Sequence, residues 1–158
     1  MQYISYFLAL FLFASSMYAE ESFSMIKPRA VTEQHIGAII DQIESSGLKV
    51  VALKMVKFET ALAKQFYAEH EGKPFFDALI QKMTSGPVVA MVIEGEDAVR
   101  RLRTLVGATN PEQAAPNTIR ARFGKGVTEN AIHASDSVAS AKREIALVFQ
   151  PTEVFAAP

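Results

Sequence analysis

The chain has no cysteine among its 158 residues, which excludes disulfide bonds, thiolate zinc sites and thiol nucleophiles. It also lacks an excess of either charge, because 16 Lys and Arg residues stand against 17 Asp and Glu residues for a net charge of -1. No whole-chain field therefore favours nucleic acid or an acidic membrane, and an anion site has to be local. At this length one domain can bury a core without a metal or a disulfide.

Two well-known phosphate-binding motifs are missing as well. The sequence contains no G-x-x-x-x-G-K-[ST] stretch and no Gly-rich loop of the protein-kinase type. Low-complexity tracts and internal repeats are also absent from it. If the protein binds phosphate, side chains have to hold it.

A long apolar run occurs at the N-terminus, where residues 1–19 form a hydrophobic leader. Its apolar core is as long as that of a signal peptide and too short for a comfortable membrane span, and no Lys or Arg precedes it. One interpretation is an export signal over residues 1–16, with A-S-S at Ala14–Ser16 as the cleavage site. The other, which we favour, is that Met17 is the true start. In both, the globular domain spans residues 20–158.

Apolar periodicity predicts the fold class. Strands are predicted over residues 22–27, 48–58, 87–95 and 131–133. Helices are predicted between Thr32 and Gly47, over 60–69 and 75–84, from 96 to Gly107, and from 138 onward. The order β-α-β-α-α-β-α-β-α predicts an α+β fold, a ferredoxin-like four-stranded antiparallel sheet with packed helices.

Three local expectations accompany this order. Thr32 is expected to cap the first helix, and Glu96 and Asp97 are expected in the first turn of the helix that they precede, where the dipole favours acids. Residues 108–128 contain two prolines and two glycines. They are expected to form a long structured loop, a kind of segment that is usually functional.

His133 is the first candidate for chemistry. It lies where a strand gives way to a loop, a position that a rigid scaffold holds still while leaving it accessible. His35 and His70 lie at helix ends, where solvated histidines are ordinary. On its position alone, a structural role in the core is the favoured explanation for His133.

Basic residues near His133 in the chain favour a role in phosphoryl transfer. Arg103 falls among the apolar positions of its helix, so we expect it to be buried against a phosphate or carboxylate partner. Lys27 ends the first strand inside an apolar run, and the same expectation applies to it. Neutral imidazole is a competent nucleophile near pH 7, and Glu144 on the next helix could fix its tautomer. The remaining basic residues are also explained by a solvated surface.

Several short motifs occur along the chain in a fixed order. They are F-S-M-I-K-P, F-Y-A-E-H, K-P-F-F, M-T-S-G-P-V, G-A-T-N-P, T-I-R and N-A-I-H-A-S-D-S. Each is weak alone, but together, from about Glu21 to the end of the last helix, they resemble the nucleoside diphosphate kinase family. The resemblance implies ping-pong transfer of the γ-phosphoryl of a nucleoside triphosphate, mainly ATP, through His133 to a nucleoside diphosphate. Such an enzyme maintains the pools of the other nucleoside and deoxynucleoside triphosphates.

The same resemblance implies roles for individual residues. Those matching nucleotide contacts are Lys27, Phe75, Arg103, Thr109, Arg120 and Asn130. Those matching supporting positions are Tyr67, Ser135 and Glu144. Phe75 is expected to stack on the base, and Asn130 to face the sugar hydroxyl and the phosphates. Simpler explanations remain for some of them. Phe75 could be a core residue, Tyr67 and Thr109 could serve packing or a loop, and Asn130 could simply form a turn.

The resemblance also implies a cofactor, an assembly and a location. Mg²⁺ is expected to bridge the nucleotide phosphates with few or no protein ligands, so no metal-binding residues are predicted. A homo-oligomer is expected, with a tetramer favoured because the tail after Phe149 is short and a hexamer possible. No stable nucleic acid or membrane partner is predicted. Relatives commonly begin about ten residues before the matching lysine, and Met17 has that spacing from Lys27, which favours a cytoplasmic enzyme over an exported one.

Three positions depart from the family pattern. Arg29 stands where Asp is usual, Ala134 where Gly is usual, and Arg122 where an acidic residue is common. If the usual glycine needed a positive φ, Ala134 would cost roughly 1 kcal/mol. Two other functions stay open, a relative without turnover and a nucleic-acid-binding module on the same sheet, although the balanced charge counts against the second.

Overall fold

Four apolar stretches of the sequence form strands in the computed structural model, which describes residues 19–155. The strands are β1 (Glu20–Ile26), β2 (Lys49–Lys57), β3 (Pro87–Gly95) and β4 (Ile132–Ala134). The helices are α1 (Pro28–Thr32), α2 (Ile36–Ser45), α3 (Thr60–Phe66), α4 (Phe76–Met83), α5 (Ala98–Val106), α6 (Ile119–Phe123) and α7 (Val138–Val148). The leader and its Met17 lie outside the described residues, as do the last residues of the predicted domain.

The strands form a single sheet in the order β2-β3-β1-β4, with every neighbouring pair antiparallel. This arrangement confirms the predicted α+β, ferredoxin-like architecture. β1 lies inside the sheet because its side chains from Ser22 to Ile26 are apolar or small on both faces, so it pairs with β3 on one side and with short β4 on the other. Met25 of β1 lies opposite His133. The histidine therefore lies on an edge strand that is anchored to the centre of the sheet.

The two faces of the sheet carry separate cores. On one face, Phe23 and Met25 of β1 pack with α3, α4 and Phe149. On the other, Ile26 packs with residues of α2, α5 and α6. Period-two alternation along β1 sends neighbouring side chains into different cores, as expected for a strand covered on both sides. No helix within residues 19–155 has both the length and the apolar content needed to cross a membrane.

Thr32 does not cap the first long helix, so that prediction is wrong. It belongs instead to the short helix α1, which begins with Pro28, a residue whose fixed φ suits a first helical position. Gln34 then has a φ of +63° and separates the two helices. Helix α2 begins only at Ile36.

Glu96 and Asp97 precede α5 and do not lie in its first turn, contrary to the prediction. Asp97 is the N-cap residue and has a left-handed φ of +50°. The carboxylate that serves this helix start comes from a different element, because Glu20 of β1 accepts a 2.8 Å hydrogen bond from the backbone N–H of Val99. Because Glu20 and Val99 are far apart in the chain, no local sequence pattern could predict this hydrogen bond.

Residues 108–128 are less irregular than predicted. They contain a short 3₁₀ segment, Pro111–Gln113, and helix α6, whose N-cap Thr118 accepts a hydrogen bond from the N–H of Ala121. A five-residue helix is too short to show a periodic apolar stripe, which explains why the sequence did not reveal it.

Gly107 joins α5 to this segment, and we expect Gly107→Ala to destabilise the fold by roughly 1 to 3 kcal/mol. Its φ is +87°, and a Cβ there would lie 2.5 Å from Thr118 Oγ1. Gly37 offers a matched control because it lies in α2 with no atom within 4 Å of an added Cβ. Gly37→Ala is expected to be neutral or slightly stabilising. Denaturant unfolding followed by circular dichroism measures both variants, and equal stability of the two would contradict the expectation.

Candidate active site

The imidazole of His133 is held by packing and by one hydrogen bond. Its ring contacts Phe66 and Tyr67, with centroids 5.1 and 6.0 Å away and both rings nearly perpendicular to it. Its Nε2 lies 3.0 Å from Oε2 of Glu144, and 18% of the side chain is exposed. Because a carboxylate accepts hydrogen bonds, the neutral ring carries its proton on Nε2, and the lone pair is left on Nδ1.

Glu144 is buried on α7 and is itself oriented by neighbours. Ser135 donates a 2.6 Å hydrogen bond from Oγ to the same Oε2 that contacts His133. The Ser135 hydroxyl also accepts a 3.1 Å hydrogen bond from the N–H of Phe23, which fixes it to β1. Ser135 therefore acts on the imidazole only through Glu144. Glu144 thus contacts the imidazole directly, and Ser135 lies one step further away.

Lys27, at the end of β1, is buried as expected. Its Nζ donates a 2.7 Å hydrogen bond to Oδ1 of Asn130, whose Nδ2 donates to the carbonyl of Thr109 at 3.0 Å. Burial, with the nearby Arg120 guanidinium as a smaller cause, lowers the pKa of Lys27 from its ordinary 10.5 to about 7. A bound anion would stabilise the charged form of this amine.

The two predicted arginines lie in different surroundings. Arg120 is the buried guanidinium, with Nη1 donating to the carbonyl of Gly107 and Nη2 to that of Ile132, and its Nε has no partner among the described residues. Burial, and then the charge of Arg103, lower the pKa of Arg120 to about 10. Arg103 is exposed, and the one hydrogen bond that its side chain donates within residues 19–155 is a 3.4 Å contact to the carbonyl of Ala134. The prediction that Arg103 is buried is wrong, because its long side chain extends from the helix surface to the site.

These side chains converge on one cavity of about 510 Å³. Nine of the predicted residues line it, namely Lys27, Tyr67, Phe75, Arg103, Thr109, Arg120, Asn130, His133 and Glu144. Ser135 lies behind the wall. A cavity with two imidazoles, three cationic side chains and an exposed aromatic ring has the chemistry to bind a phosphorylated aromatic molecule.

The Tyr67 hydroxyl is buried on the cavity wall and has no hydrogen-bond partner among residues 19–155. Burial, together with the charge of Glu144, raises the pKa of this phenol well above its ordinary value. It therefore remains a neutral donor. Buried donors are rarely left unpaired in native structures, so a buried unpaired hydroxyl on a cavity wall favours a ligand that completes it.

The structure adds residues that the sequence did not single out. Val127 lines the cavity together with the predicted Phe75, although 56% and 42% of their surfaces are exposed. His70 also lies on the wall, with its ring stacked 6.1 Å from that of Tyr67. Burial first, and then the nearby Lys73, lower the pKa of His70. Val127 left no usable signal because it lies in an irregular segment, and the helix-end position of His70 suggested only a solvated residue.

A strained residue precedes the histidine, but it is not the one suspected from the sequence. Ala134 lies in β4 and has no positive φ, so the expected cost of alanine there does not arise. Ala131 has a φ of +69°, and the N–H of Ile132 donates to the carbonyl of Asn130 at 2.9 Å across it. This is a classic γ-turn, a rare and strained conformation. It turns the chain between Asn130 and the histidine strand.

Arg122 points away from the cavity. Its guanidinium lies 4.7 Å from the ring of Phe123 and donates to Oε1 of Gln42 on α2. It is not among the residues that line the cavity around His133. Arginine in place of the usual acidic residue at position 122 therefore affects the surface contact between α6 and α2, and not the cavity.

Comparison with known proteins agrees with this geometry. The family model described as nucleoside diphosphate kinase matches residues 20–154. The nucleoside diphosphate kinase of Aquifex aeolicus is 45% identical, with a TM-score of 0.84 over 86% of this chain and 99% of that one. The halophilic nucleoside diphosphate kinase of Halobacterium salinarum in complex with CDP is also 45% identical. Its TM-score is 0.87, and the match covers 89% of this chain and 94% of that one. The nucleoside diphosphate kinase of Encephalitozoon cuniculi is 38% identical. Its TM-score is 0.84, and the match covers 87% of this chain and 94% of that one. The resemblance found in the sequence is thereby confirmed, and the chain belongs to the nucleoside diphosphate kinase family.

Proposed function

We propose that this chain transfers the γ-phosphoryl group of a nucleoside triphosphate to a nucleoside diphosphate through phosphorylated His133. The single observation that carries the proposal is the hydrogen bond between His133 Nε2 and Glu144, on the wall of the cavity that also holds Lys27 and Arg120. A histidine with one nitrogen occupied by a carboxylate offers the other nitrogen to a phosphorus atom. Kinase activity is the activity of the family to which the chain belongs.

In the proposed first half-reaction, Nδ1 of His133 attacks the γ-phosphorus of the triphosphate. A nitrogen–phosphorus bond forms, and the bond from that phosphorus to the bridging oxygen of the leaving diphosphate breaks. The Nε2 proton stays on the ring, where Glu144 at 3.0 Å stabilises the positive charge that the ring gains. A nucleoside diphosphate then enters and its terminal oxygen attacks the same phosphorus. The nitrogen–phosphorus bond breaks, its electron pair returns to Nδ1, and the neutral imidazole is restored.

Lys27, Arg103 and Arg120 neutralise the phosphate charge in this proposal, which is the main requirement for phosphoryl transfer. Arg120 is fixed by two backbone carbonyls and Lys27 by Asn130, so both cations need little reorganisation. The exposed Arg103 can follow the departing phosphate. Thr109 lies beside these side chains on the cavity wall.

The base is proposed to stack on Phe75 and to be covered by Val127 from the opposite segment of the chain. Stacking and apolar contact involve the faces of a base and no hydrogen-bonding edge, so all common bases can bind. This accounts for an enzyme that serves several nucleotide pools. Asn130 is proposed to face the sugar hydroxyl and phosphate side.

The residues present fit a Mg²⁺ ion that is held mainly by the nucleotide phosphates. Within residues 19–155, no three His, Asp or Glu side chains are grouped closely enough to hold a metal ion. Besides Glu144, the carboxylates of Asp136 and Glu69 lie on the cavity wall. Hydrogen bonding by Ser140 lowers the pKa of Asp136, so this carboxylate is ionised and available to the ion or to its water. Bound Mg²⁺ supplies charge neutralisation on the phosphates.

We further propose a homo-oligomer, with the tetramer favoured over the hexamer. The edge strand β2 supports association because Leu53 and Met55 on it are 50% and 57% exposed. We also propose a cytoplasmic location, since nucleoside triphosphates and diphosphates are abundant there.

A labelling experiment tests the proposed function. The purified protein is incubated with γ-labelled ATP and Mg²⁺, freed of nucleotide, and then mixed with unlabelled GDP. We expect an acid-labile label on the protein that is transferred quantitatively to GTP. A protein that takes up no label would contradict the proposal and favour a relative without turnover, and label that stays on the protein when GDP is added would contradict the ping-pong step.

A further inference from the structure

Arg29 on α1 joins the two ends of a loop that borders the nucleotide cavity. Its Nη2 donates a 2.8 Å hydrogen bond to the carbonyl of Phe123 and a 3.4 Å hydrogen bond to the carbonyl of Glu129. Phe123 is the last residue of α6, and Glu129 directly precedes Asn130. One guanidinium therefore bridges both ends of the segment 123–129.

This loop carries part of the cavity wall. Val127 and Thr128 near its end line the cavity. Its sequence, F-G-K-G-V-T-E, contains two glycines, which leave the free loop many conformations. Inside the loop, the N–H of Lys125 donates to the carbonyl of Glu129 at 3.0 Å. The loop thus depends on a few contacts to hold its two cavity residues in place.

The guanidinium is itself held in one orientation. Nη1 donates to Oε1 of Glu33, one helical turn further along the chain, and the Nε atom is buried. Only 21% of the Arg29 side chain is exposed. A rigid planar group with several fixed donors can bridge a carboxylate and two carbonyls at once, whereas a lysine ammonium is a single point at the end of a flexible chain. The site is therefore specific for arginine.

We propose that Arg29 is a positioning residue for nucleotide binding, because it closes the loop 123–129 and so fixes Val127 and Thr128 against the base and sugar. The inference rests on the proposed function in that it takes the ligand of the cavity to be a nucleotide. The family usually has aspartate at this position, and aspartate has no donor for the two carbonyls. This chain therefore closes the loop with a side chain that the family pattern does not supply.

Arg29→Lys tests the proposal, with Arg100→Lys as a matched control. Arg100 is exposed, forms its ion pair with Asp97 and does not line the nucleotide cavity. We expect Arg29→Lys to accelerate amide hydrogen exchange over residues 124–129 by about tenfold or more. The Kd for ADP and the KM for nucleoside diphosphates should rise by about three- to tenfold, with kcat within about twofold, because β4 and Glu144 still hold His133. Arg100→Lys should leave all four quantities unchanged.

Glu33→Gln supplies a second variant that leaves both carbonyl bonds available. It should raise the exchange rate and the Kd for ADP in the same direction but by less than Arg29→Lys, and it carries the test if Arg29→Lys fails to fold. Unchanged exchange over 124–129 would overturn the proposal, as would faster exchange with an unchanged Kd for ADP. If the wild-type protein takes up no label from ATP, the proposed function fails, while the exchange and ADP measurements still decide the role of Arg29.

Discussion

Replacing His133 by asparagine is expected to lower the rate of phosphoryl transfer by on the order of 10³-fold or more. The imidazole of His133, whose Nε2 is held by Glu144, is the proposed nucleophile, and asparagine has no nitrogen lone pair that can attack phosphorus. Its amide can still donate toward Glu144, so the buried carboxylate is not left without a partner. The rate of transfer from ATP to GDP, together with the uptake of label, measures the loss.

His35→Asn is the matched control for this experiment. His35 lies just before α2 with its ring 4.7 Å from that of Phe123, outside the cavity that contains His133. With saturating nucleotide it should take up label and turn over at the wild-type rate. Equal activity of His133→Asn and His35→Asn would disprove the assignment of the nucleophile. Loss of activity in both would instead point to a general loss of structure, which circular dichroism detects.

Lys27→Met is expected to lower kcat/KM by about 10²- to 10³-fold and at the same time to stabilise the folded chain at pH 6. The activity falls because an ammonium that neutralises phosphate charge is lost. The stability rises because a buried charge is removed, by roughly 2 kcal/mol after the loss of the Asn130 hydrogen bond is allowed for. An active-site residue that reduces stability is a known cost of function.

The pH dependence of this stabilisation has a definite sign. The pKa of Lys27 is about 7 in the folded chain and has its ordinary value of 10.5 when unfolded. Below pH 7 the amine is charged in both states, and the folded state bears the whole penalty. As the pH rises from 7 toward 10.5 the penalty disappears, because the unfolded chain binds more protons than the folded one.

The stability difference between Lys27→Met and wild type should therefore shrink steadily over that range of pH. Urea unfolding at pH 6, 8 and 10 measures it. Lys64→Met on the exposed face of α3 serves as a control and should show no such trend. A constant difference at all three pH values would contradict the depressed pKa of Lys27.

Much of the fold could be predicted because its strands bury one or both faces. The sequence of β3 is an unbroken apolar run because the strand lies inside the sheet. The apolar residues of α4 recur with helical spacing because one face of that helix packs against the core. The sequence could not show where α5 begins, because Glu20 of a distant strand completes its first turn. Nor could it show α6, whose five residues are held by tertiary contacts more than by a pattern of their own.

The candidate site was predictable to the extent that its residues occur in motifs. Nine of ten expected side chains line the same cavity, while their individual roles remain proposals. The position of Arg103 on its helix predicts a buried side chain, but that side chain is exposed. The buried arginine is Arg120. Helical spacing places a Cα on a face, but it does not determine where the end of a long side chain lies. The turn at Ala131 also left no signal, because alanine rarely adopts a positive φ.

The depressed pKa of Lys27 also links two binding equilibria. In the proposed site, a nucleotide brings negative charge to an amine that is only about half protonated near pH 7 without it, and so favours its protonation. Each bound nucleotide consequently carries a fraction of a proton into the protein, and product release returns it to solvent. Nucleotide affinity must then weaken as the solution becomes more alkaline than this pKa, so that proton activity acts as a co-ligand of the enzyme.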